Sequence, residues 1–266
     1  MANIHPSSFV SSSAVIEDGV EIGPFCSVGD SVTLRKGVRL VSHVSVDGII
    51  EIGEGTIVYP FASLGHPPQD LKYSGETSRT VIGRECVIRE HVTIQPGTKG
   101  DRMETVIGNN CLLMVGSHVA HDCVVGNRVI MANNATLSGH VTLEDHVILG
   151  GLSAVHQFVR IGAYAMIGGM SGVEKDVLPY GLVKGERAYL SGLNVVGLKR
   201  NNFSYQDIQR LQASFDLIFD RDGTLAERVE KLKTLQAAEP DENCKALIDF
   251  ISASKKSLCS PKAESI

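Results

Sequence analysis

Four histidines in the middle of the chain are the side chains best suited to proton transfer. His118 and His121 lie in the segment GSHVAHDC at 116–123, and His140 and His156 follow within the next 35 residues. Imidazole is the side chain whose ordinary pKa falls between pH 5 and 8, so a histidine can act as a general acid or base near neutral pH. We therefore take these histidines as the candidate functional site and ask what holds them together.

A six-residue repeat surrounds this segment. An aliphatic residue or methionine recurs at every sixth position, and this period is typical of a parallel β-helix in which each hexad forms one face of a coil. Three faces close a coil, so residues about 18 apart stack at the ordinary strand spacing of roughly 4.8 Å. This period places His121, His140 and His156 near one edge of successive coils. The two ladders comprise Val10, Ile16, Ile22, Val28, Leu34, Leu40, Val46, Ile52, Val58 and Leu64, and then Ile107, Leu113, Val119, Val125, Met131, Leu137, Leu143, Leu149, Val155, Ile161, Ile167 and Val173.

The repeat defines the domain organisation. We predict a β-helix over residues 1–185, interrupted by loops at 65–80 and 95–106, a connector at 186–202, and a helical domain at 203–266. Ser204 with Asp207 and Thr224 with Glu227 predict capping boxes that open two helices, and Pro240 is expected to open a third. Glycines directly after ladder residues, such as Gly23 and Gly53, are expected at corners that need an unusual backbone conformation.

Composition excludes several classes of protein. The 266 residues carry a net charge of −5, which argues against nucleic acid as a partner. No apolar run is long enough for a membrane span, and the N-terminus lacks the pattern of a signal peptide. The six cysteines show no metal-binding spacing, so we expect a reduced, cytoplasmic protein.

Five further segments are more specific than the repeat. They are QDLKY at 69–73, HVAHDC at 118–123, ANNATL at 132–137, AVHQF at 154–158 and NVVGLKR at 194–200. In these segments the chain resembles the acyl-carrier-protein–UDP-N-acetylglucosamine O-acyltransferases. The resemblance implies that the β-helix is left-handed and that the protein is a homotrimer without a metal, and we expect no other cofactor. It also implies transfer of a 3-hydroxyacyl chain from acyl carrier protein to the 3-position of UDP-N-acetylglucosamine, the first step of lipid A biosynthesis.

The resemblance also implies a role for individual residues. His121 matches the general base, Asp122 the neighbour that orients it, and Gly139 the residue whose backbone N–H faces the oxyanion. Gly169 matches the position that limits acyl-chain length, and a glycine there predicts long donors. The expected substrate-binding residues are Gln69, Asp70, Lys72, His118, His140, His156, Gln157, Asn194 and Arg200. The chain departs from the family pattern at Gln95, Val196 and Asn201.

Basic residues around the last coils predict a docking site for the acidic carrier protein. They are Arg160, Lys175, Lys184, Arg187, Lys199 and Arg200. Side chains of this sign at a surface attract an acidic partner and mainly raise the rate of association.

Four alternatives remain open. Some relatives acylate a 3-amino analogue of the sugar and form an amide. A γ-class carbonic anhydrase shares the fold and holds zinc with three histidines, although its paired ligands lie five residues apart, whereas His118 and His121 lie three apart. A glucosamine N-acyltransferase of the same pathway carries a domain before the ladder, whereas this ladder begins at Val10. A scaffold without activity leaves the aligned histidines unexplained.

Overall fold

The computed structural model describes residues 1–262, and up to Leu193 the chain forms many very short strands separated by turns and loops. The strands are β1 Asn3–Ile4, β2 Phe9–Val10, β3 Val15–Ile16, β4 Glu21–Ile22, β5 Ser27–Val28, β6 Val32–Leu34, β7 Arg39–Leu40, β8 Ser45–Val46, β9 Ile49–Ile52, β10 Ile57–Val58, β11 Ser63–Leu64, β12 Arg79–Ile82, β13 Val87–Ile88, β14 Thr93–Ile94, β15 Glu104–Ile107, β16 Leu112–Leu113, β17 His118–Val119, β18 Val124–Val125, β19 Ile130–Met131, β20 Thr136–Leu137, β21 Thr142–Leu143, β22 Ile148–Leu149, β23 Ala154–Val155, β24 Arg160–Ile161, β25 Met166–Ile167, β26 Gly172–Val173, β27 Gly181–Lys184 and β28 Tyr189–Leu193. The helices are α1 Val195–Arg200, α2 Tyr205–Ile218, α3 Leu225–Ala238 and α4 Glu242–Ala253.

Each strand of the repeat region pairs with the strand three positions earlier in the chain. The successive coils therefore form three parallel sheets. The sheet that contains the site has the order β2-β5-β8-β11-β14-β17-β20-β23-β26. Its register places His118 opposite Thr136 and Thr136 opposite Ala154, a step of 18 residues. The ladder residues Val119 and Leu137 point into the coil and are fully buried. The predicted parallel β-helix is therefore confirmed.

The corners of the coil differ from the prediction. Gly23 and Gly53, directly after ladder residues, do not have positive φ, so the expected reason for these glycines was wrong. A Cβ on Gly53 would lie 2.5 Å from the carbonyl carbon of Gly83 in the next coil, so glycine is required there by close approach. Positive φ instead occurs three residues after the ladder residue, as at Asp122 (57°) and His140 (65°).

The two loops lie side by side on one part of the coil. The strands resume at Arg79 and Glu104, slightly before the predicted loop ends, and there β12 pairs with β15 from Arg79↔Glu104 to Ile82↔Ile107. The backbone N–H of Lys99 in the second loop donates to Oε1 of Glu76 in the first, at 2.9 Å. This bond and others from backbone N–H groups lower the pKa of Glu76 to about 2, which keeps the linking carboxylate ionised.

The C-terminal part packs against the last coil. Both predicted capping boxes are confirmed, at Ser204 before α2 and at Thr224 before α3. The third helix of the prediction is α4, and it is capped by Asp241, one residue after Pro240. The segment we predicted as a connector, 186–202, forms β28 and α1, and β28 pairs antiparallel with β27. The described end of the chain returns to the coil through bridges from Asp176 to Leu258 and from Leu190 to Pro261.

None of the four helices in residues 1–262 is both long and apolar enough to cross a membrane.

Candidate active site

The site is built on one corner of three successive coils. Each coil turns the chain away from the sheet directly after β17, β20 and β23, so equivalent corner residues stack along the axis. The 18-residue register sets Gly139 one coil beyond His121, and it sets His140 one coil beyond Asp122. Phe158 occupies the next position of the second column and continues the stack on His140.

His121 and Asp122 form a hydrogen-bonded pair. Nδ1 of His121 lies 2.9 Å from Oδ2 of Asp122, whose side chain is completely buried. The carboxylate also accepts hydrogen bonds from the backbone N–H and hydroxyl of Thr98 and from the backbone N–H of Met103, at 2.9, 2.6 and 3.1 Å. A carboxylate that only accepts makes Nδ1 the protonated nitrogen of the neutral ring. Nε2 of His121 is therefore the atom that can take a proton.

Gly139 lies against Cε1 and Nε2 of the His121 ring. A Cβ at this position would be 2.5 Å from Cε1 and 2.6 Å from Nε2 of the imidazole, so any larger residue would displace the ring. The backbone N–H groups of its neighbours Ser138 and His140 donate to the backbone carbonyls of Val155 and His121, respectively. The N–H of Gly139 has no acceptor within residues 1–262, and it can donate to a substrate atom beside Nε2.

His140 is held by contacts that the sequence analysis did not foresee. Its Nδ1 lies 2.6 Å from Oδ2 of Asp101, and its ring stacks on Phe158 with centroids 4.3 Å apart. The ring also contacts that of His121, with centroids 4.9 Å apart and planes at 88°. Asp101 and Thr98 come from the second loop, which has no periodic pattern, so no sequence signal pointed to them.

His118 and His156 have different surroundings. Nδ1 of His118 lies 2.7 Å from the hydroxyl of Thr93, on the neighbouring strand of the sheet. Burial, and to a smaller extent the charge on His121, lower the pKa of His118 below its ordinary value, so the ring favours the neutral form. His156 is exposed, and its Nδ1 lies 3.2 Å from the carbonyl oxygen of Gln157. Within the described part of the chain His156 has no hydrogen bond or ring contact with His121 or His140.

The remaining expected substrate residues lie on the first loop and at the start and end of α1. Gln69 and Lys72 are exposed on the first loop, where Oδ1 of Asp70 accepts the backbone N–H of Lys72 at 2.9 Å. Asn194 caps α1 by accepting from Gly197, and it donates to the carbonyl of Tyr164. No hydrogen bond within residues 1–262 joins these side chains to His121.

Three further positions complete the description of the expected site. Arg200 is exposed in the last turn of α1, and the exposed Gln157 accepts at its carbonyl oxygen from Nζ of Lys256, at 2.7 Å. Gln95, one of the departures from the family pattern, is buried, and its side-chain oxygen has no partner among the described residues. A buried acceptor of this kind is available to a donor from water, a substrate or another chain.

Gly169, the expected limit for the acyl chain, lies at a different corner from His121. Its φ is not in the left-handed region, and a Cβ there would lie 3.2 Å from the carbonyl oxygen of Gly151. The backbone therefore accepts a side chain at this position with only a small local adjustment.

His121, Asp122 and His140 are also the group that could hold a metal ion, because their ligand atoms lie within 4.8 Å of one another. This group has two imidazoles and a carboxylate and lacks the third histidine that a γ-class carbonic anhydrase uses. The Nδ1 atoms of both rings face carboxylates at hydrogen-bond distance, an arrangement that orients an imidazole ring.

The coil of hexads and the histidine–aspartate pair at its corner define a hexapeptide-repeat transferase, and sequence comparison gives the same class. The family of bacterial transferase hexapeptides (six repeats) matches residues 104–139, and domain 2 of UDP-N-acetylglucosamine O-acyltransferase matches residues 176–259. A relative from Azorhizobium caulinodans is 53% identical over 98% of this chain and 96% of its own length. A relative from Rickettsia canadensis is 47% identical over 97% of each chain. Both are named acyl-[acyl-carrier-protein]–UDP-N-acetylglucosamine O-acyltransferase, and the chain belongs to this family.

Solved structures agree with this assignment. The UDP-N-acetylglucosamine O-acyltransferase of Moraxella catarrhalis superposes with a TM-score of 0.91 at 41% identity, covering 96% of this chain and 99% of that one. A structure from Acinetobacter baumannii superposes with a TM-score of 0.92 at 40% identity, covering 96% and 98% of the two chains. The fold class and family expected from the sequence are therefore confirmed.

Proposed function

We propose that this chain transfers a 3-hydroxyacyl group from acyl carrier protein to the 3-hydroxyl of UDP-N-acetylglucosamine, the first step of lipid A biosynthesis. The observation that carries the mechanism is the position of His121. Its Nδ1 is hydrogen-bonded to the buried Asp122, and its Nε2 lies beside Gly139, whose N–H is free to donate to a substrate. A base and an oxyanion donor thus lie side by side, as acyl transfer requires.

The chemical step follows from these positions. The sugar hydroxyl attacks the carbonyl carbon of the thioester while Nε2 of His121 takes the hydroxyl proton. The carbonyl oxygen becomes an oxyanion and accepts from the N–H of Gly139, a donor of a kind worth about 2.7–4 kcal/mol in comparable sites. Asp122 stabilises the imidazolium through Nδ1–H. The carbon–sulfur bond then breaks, and the departing thiolate takes the proton from Nε2.

The thioester supplies an activated acyl group, so the balanced reaction needs no further cofactor. We assign His118, His140 and His156 to contacts with the substrate. We assign Gly169 to the end of the acyl groove, where the absence of a side chain should favour long acyl donors.

The substrate residues outside the histidine corner are best supplied by a neighbouring copy in a homotrimer. Gln69, Asp70 and Lys72 extend from an exposed loop, and Asn194 and Arg200 lie at the end of the coil. A row of exposed rings supports self-association, because exposed phenylalanines stacked in a row with other rings are typical of an interface. It consists of Phe25, His43, Phe61 and His91, with successive centroids 4.9, 5.1 and 5.1 Å apart.

A cytoplasmic location is supported by the cysteines. All six are free and buried, which is typical of chains that fold in a reducing compartment.

One assay tests the activity and the acceptor together. The purified protein is incubated with a panel of 3-hydroxyacyl carrier proteins and either UDP-N-acetylglucosamine or its 3-amino analogue, and products are identified by mass spectrometry. We expect an ester on the 3-oxygen. Products from the amino sugar alone would assign the amide-forming reaction, and no acylated product with any carrier would refute the transferase.

The role of His121 is tested by substitution. His121→Ala should lower kcat by about 10²–10⁴-fold, the usual effect of losing a general base. The melting temperature should hardly change, because Asp122 keeps its donors from Thr98 and Met103. His5→Ala, at an exposed histidine of the first coil, is the matched control. A His121→Ala enzyme with a third or more of the original kcat would remove His121 from the mechanism.

A further inference from the structure

A second carboxylate–imidazole pair lies beside the first, and the mechanism above does not use it. Oδ2 of Asp101 lies 2.6 Å from Nδ1 of His140. The side chain of Asp101 is about one-third exposed (37%), whereas that of His140 is largely covered (16%). The pair therefore joins a residue of the second loop to a residue of the coil, at the edge of the proposed active site.

His140 is held from three directions, so its orientation is defined. Asp101 binds Nδ1, Phe158 stacks on the ring with an angle of 6° between the planes, and the His121 ring lies perpendicular to it. Rotating the ring by half a turn would place Cδ2 where Nδ1 lies and would lose the bond to Asp101. Within residues 1–262, Nε2 of His140 has no hydrogen-bond partner.

The loop that carries Asp101 is fixed independently of His140. Thr98 and Met103, on either side of Asp101, both donate to the buried carboxylate of Asp122. Gly100, with φ of 115°, permits the turn directly before Asp101. Removing the Asp101 carboxylate should therefore leave the loop in place.

We propose that Asp101 is a positioning residue that keeps the proton of neutral His140 on Nδ1. A carboxylate only accepts hydrogen bonds, and a neutral imidazole has one donor and one acceptor, so Nε2 becomes the acceptor. His140 then presents Nε2 to an N–H or O–H group of the acceptor sugar. This substrate assignment rests on the proposed function, whereas the effect on the tautomer does not.

The test combines a tautomer measurement with kinetics. In protein labelled with ¹⁵N-histidine, the ring signals of His140, assigned by their loss in His140→Asn, should show the Nδ1–H tautomer. Asp101→Ala should shift them towards the Nε2–H tautomer and should raise KM for the UDP-sugar about tenfold, with kcat changed less than threefold. Asp101→Glu should restore most of both effects. Glu104→Gln, at the first residue of β15 directly after this loop and paired with Arg79, should change neither.

Two results would overturn the inference. One is an unchanged tautomer or an unchanged KM in Asp101→Ala. The other is a lowered melting temperature with equal losses in Asp101→Ala and Asp101→Glu, which would make Asp101 a structural residue of the loop. The tautomer is measured without substrate, so failure of the acylation assay would refute the proposed function and leave this measurement valid.

Discussion

Replacing Gly139 by alanine should separate the chemistry of the site from the stability of the coil. A Cβ at residue 139 would lie 2.5, 2.6 and 3.1 Å from Cε1, Nε2 and Nδ1 of His121. Favourable contacts between such atoms occur at about 3.5–4.0 Å, so the imidazole must move by about 1 Å. The φ of Gly139 is not in the left-handed region, and the backbone itself can accept alanine.

The size of the effect follows from this displacement. Moving His121 by about 1 Å lengthens its hydrogen bond to Asp122, now 2.9 Å, and takes Nε2 away from the attacking hydroxyl. A misplacement of this size commonly costs about 10²-fold in rate. We therefore expect kcat to fall by about 10²-fold or more while the melting temperature changes by only a few degrees.

The assay is steady-state acylation with paired thermal unfolding. Gly151→Ala is the matched control, because a Cβ there would meet only the carbonyl oxygen of Asn133 at 3.4 Å, an ordinary contact. The double variant Gly139→Ala/His121→Ala should be no slower than His121→Ala, since both changes remove the same group. A Gly139→Ala enzyme with more than a third of the original kcat, or a double variant with additive losses, would refute the reasoning.

Three further outcomes are expected. Gly169→Met should move the preference to donors shorter by several carbons, since each buried methylene contributes about 0.8 kcal/mol; equal loss on short and long donors would contradict a role in chain length. KM for the acidic carrier should rise with salt while kcat changes little, because Lys175, Lys184 and Lys199 are exposed; a KM that stays flat to about 0.5 M salt would contradict this. The lowered pKa of His118 means that unfolding binds a proton, so this stabilisation is present above about pH 6.5 and is lost as the pH falls below it. His118→Gln should flatten the dependence of unfolding free energy on pH between about 5 and 7, measured by urea denaturation, and an unchanged slope would contradict the assignment.

Two of the arginines that we predict to attract the carrier protein have acidic partners within the chain. Arg160 was expected to belong to it, but its guanidinium lies 3.4 Å from Glu144 and packs over the ring of Phe250 at 4.4 Å. Arg187 lies 3.4 Å from Glu174. These two arginines are partly compensated within the chain, so the salt dependence should come mainly from the exposed lysines.

The sequence by itself determined the features that depend on local or periodic patterns. The hexad ladder predicted the coil because only inward positions such as Val119 and Leu137 repeat with the period of the faces. The capping boxes at Ser204 and Thr224 were readable because both partners lie within one turn. The pairing of His121 with Asp122 was expected from adjacent residues, through the family resemblance.

Tertiary structure decided how the site is completed. Thr98 and Asp101 come from a loop without a repeat. Thr98 contacts Asp122, 24 residues later in the sequence, and Asp101 contacts His140, 39 residues later, only because the coil brings these parts of the chain together. The ladder places corner residues along the axis, yet it cannot specify side-chain direction. The sequence analysis therefore expected His156 near His121, whereas no hydrogen bond or ring contact joins them within the described residues. Side-chain direction at a corner depends on the local φ, on stacked neighbours such as Phe158 and on hydrogen bonds from distant loops, and these are set only when the chain is folded.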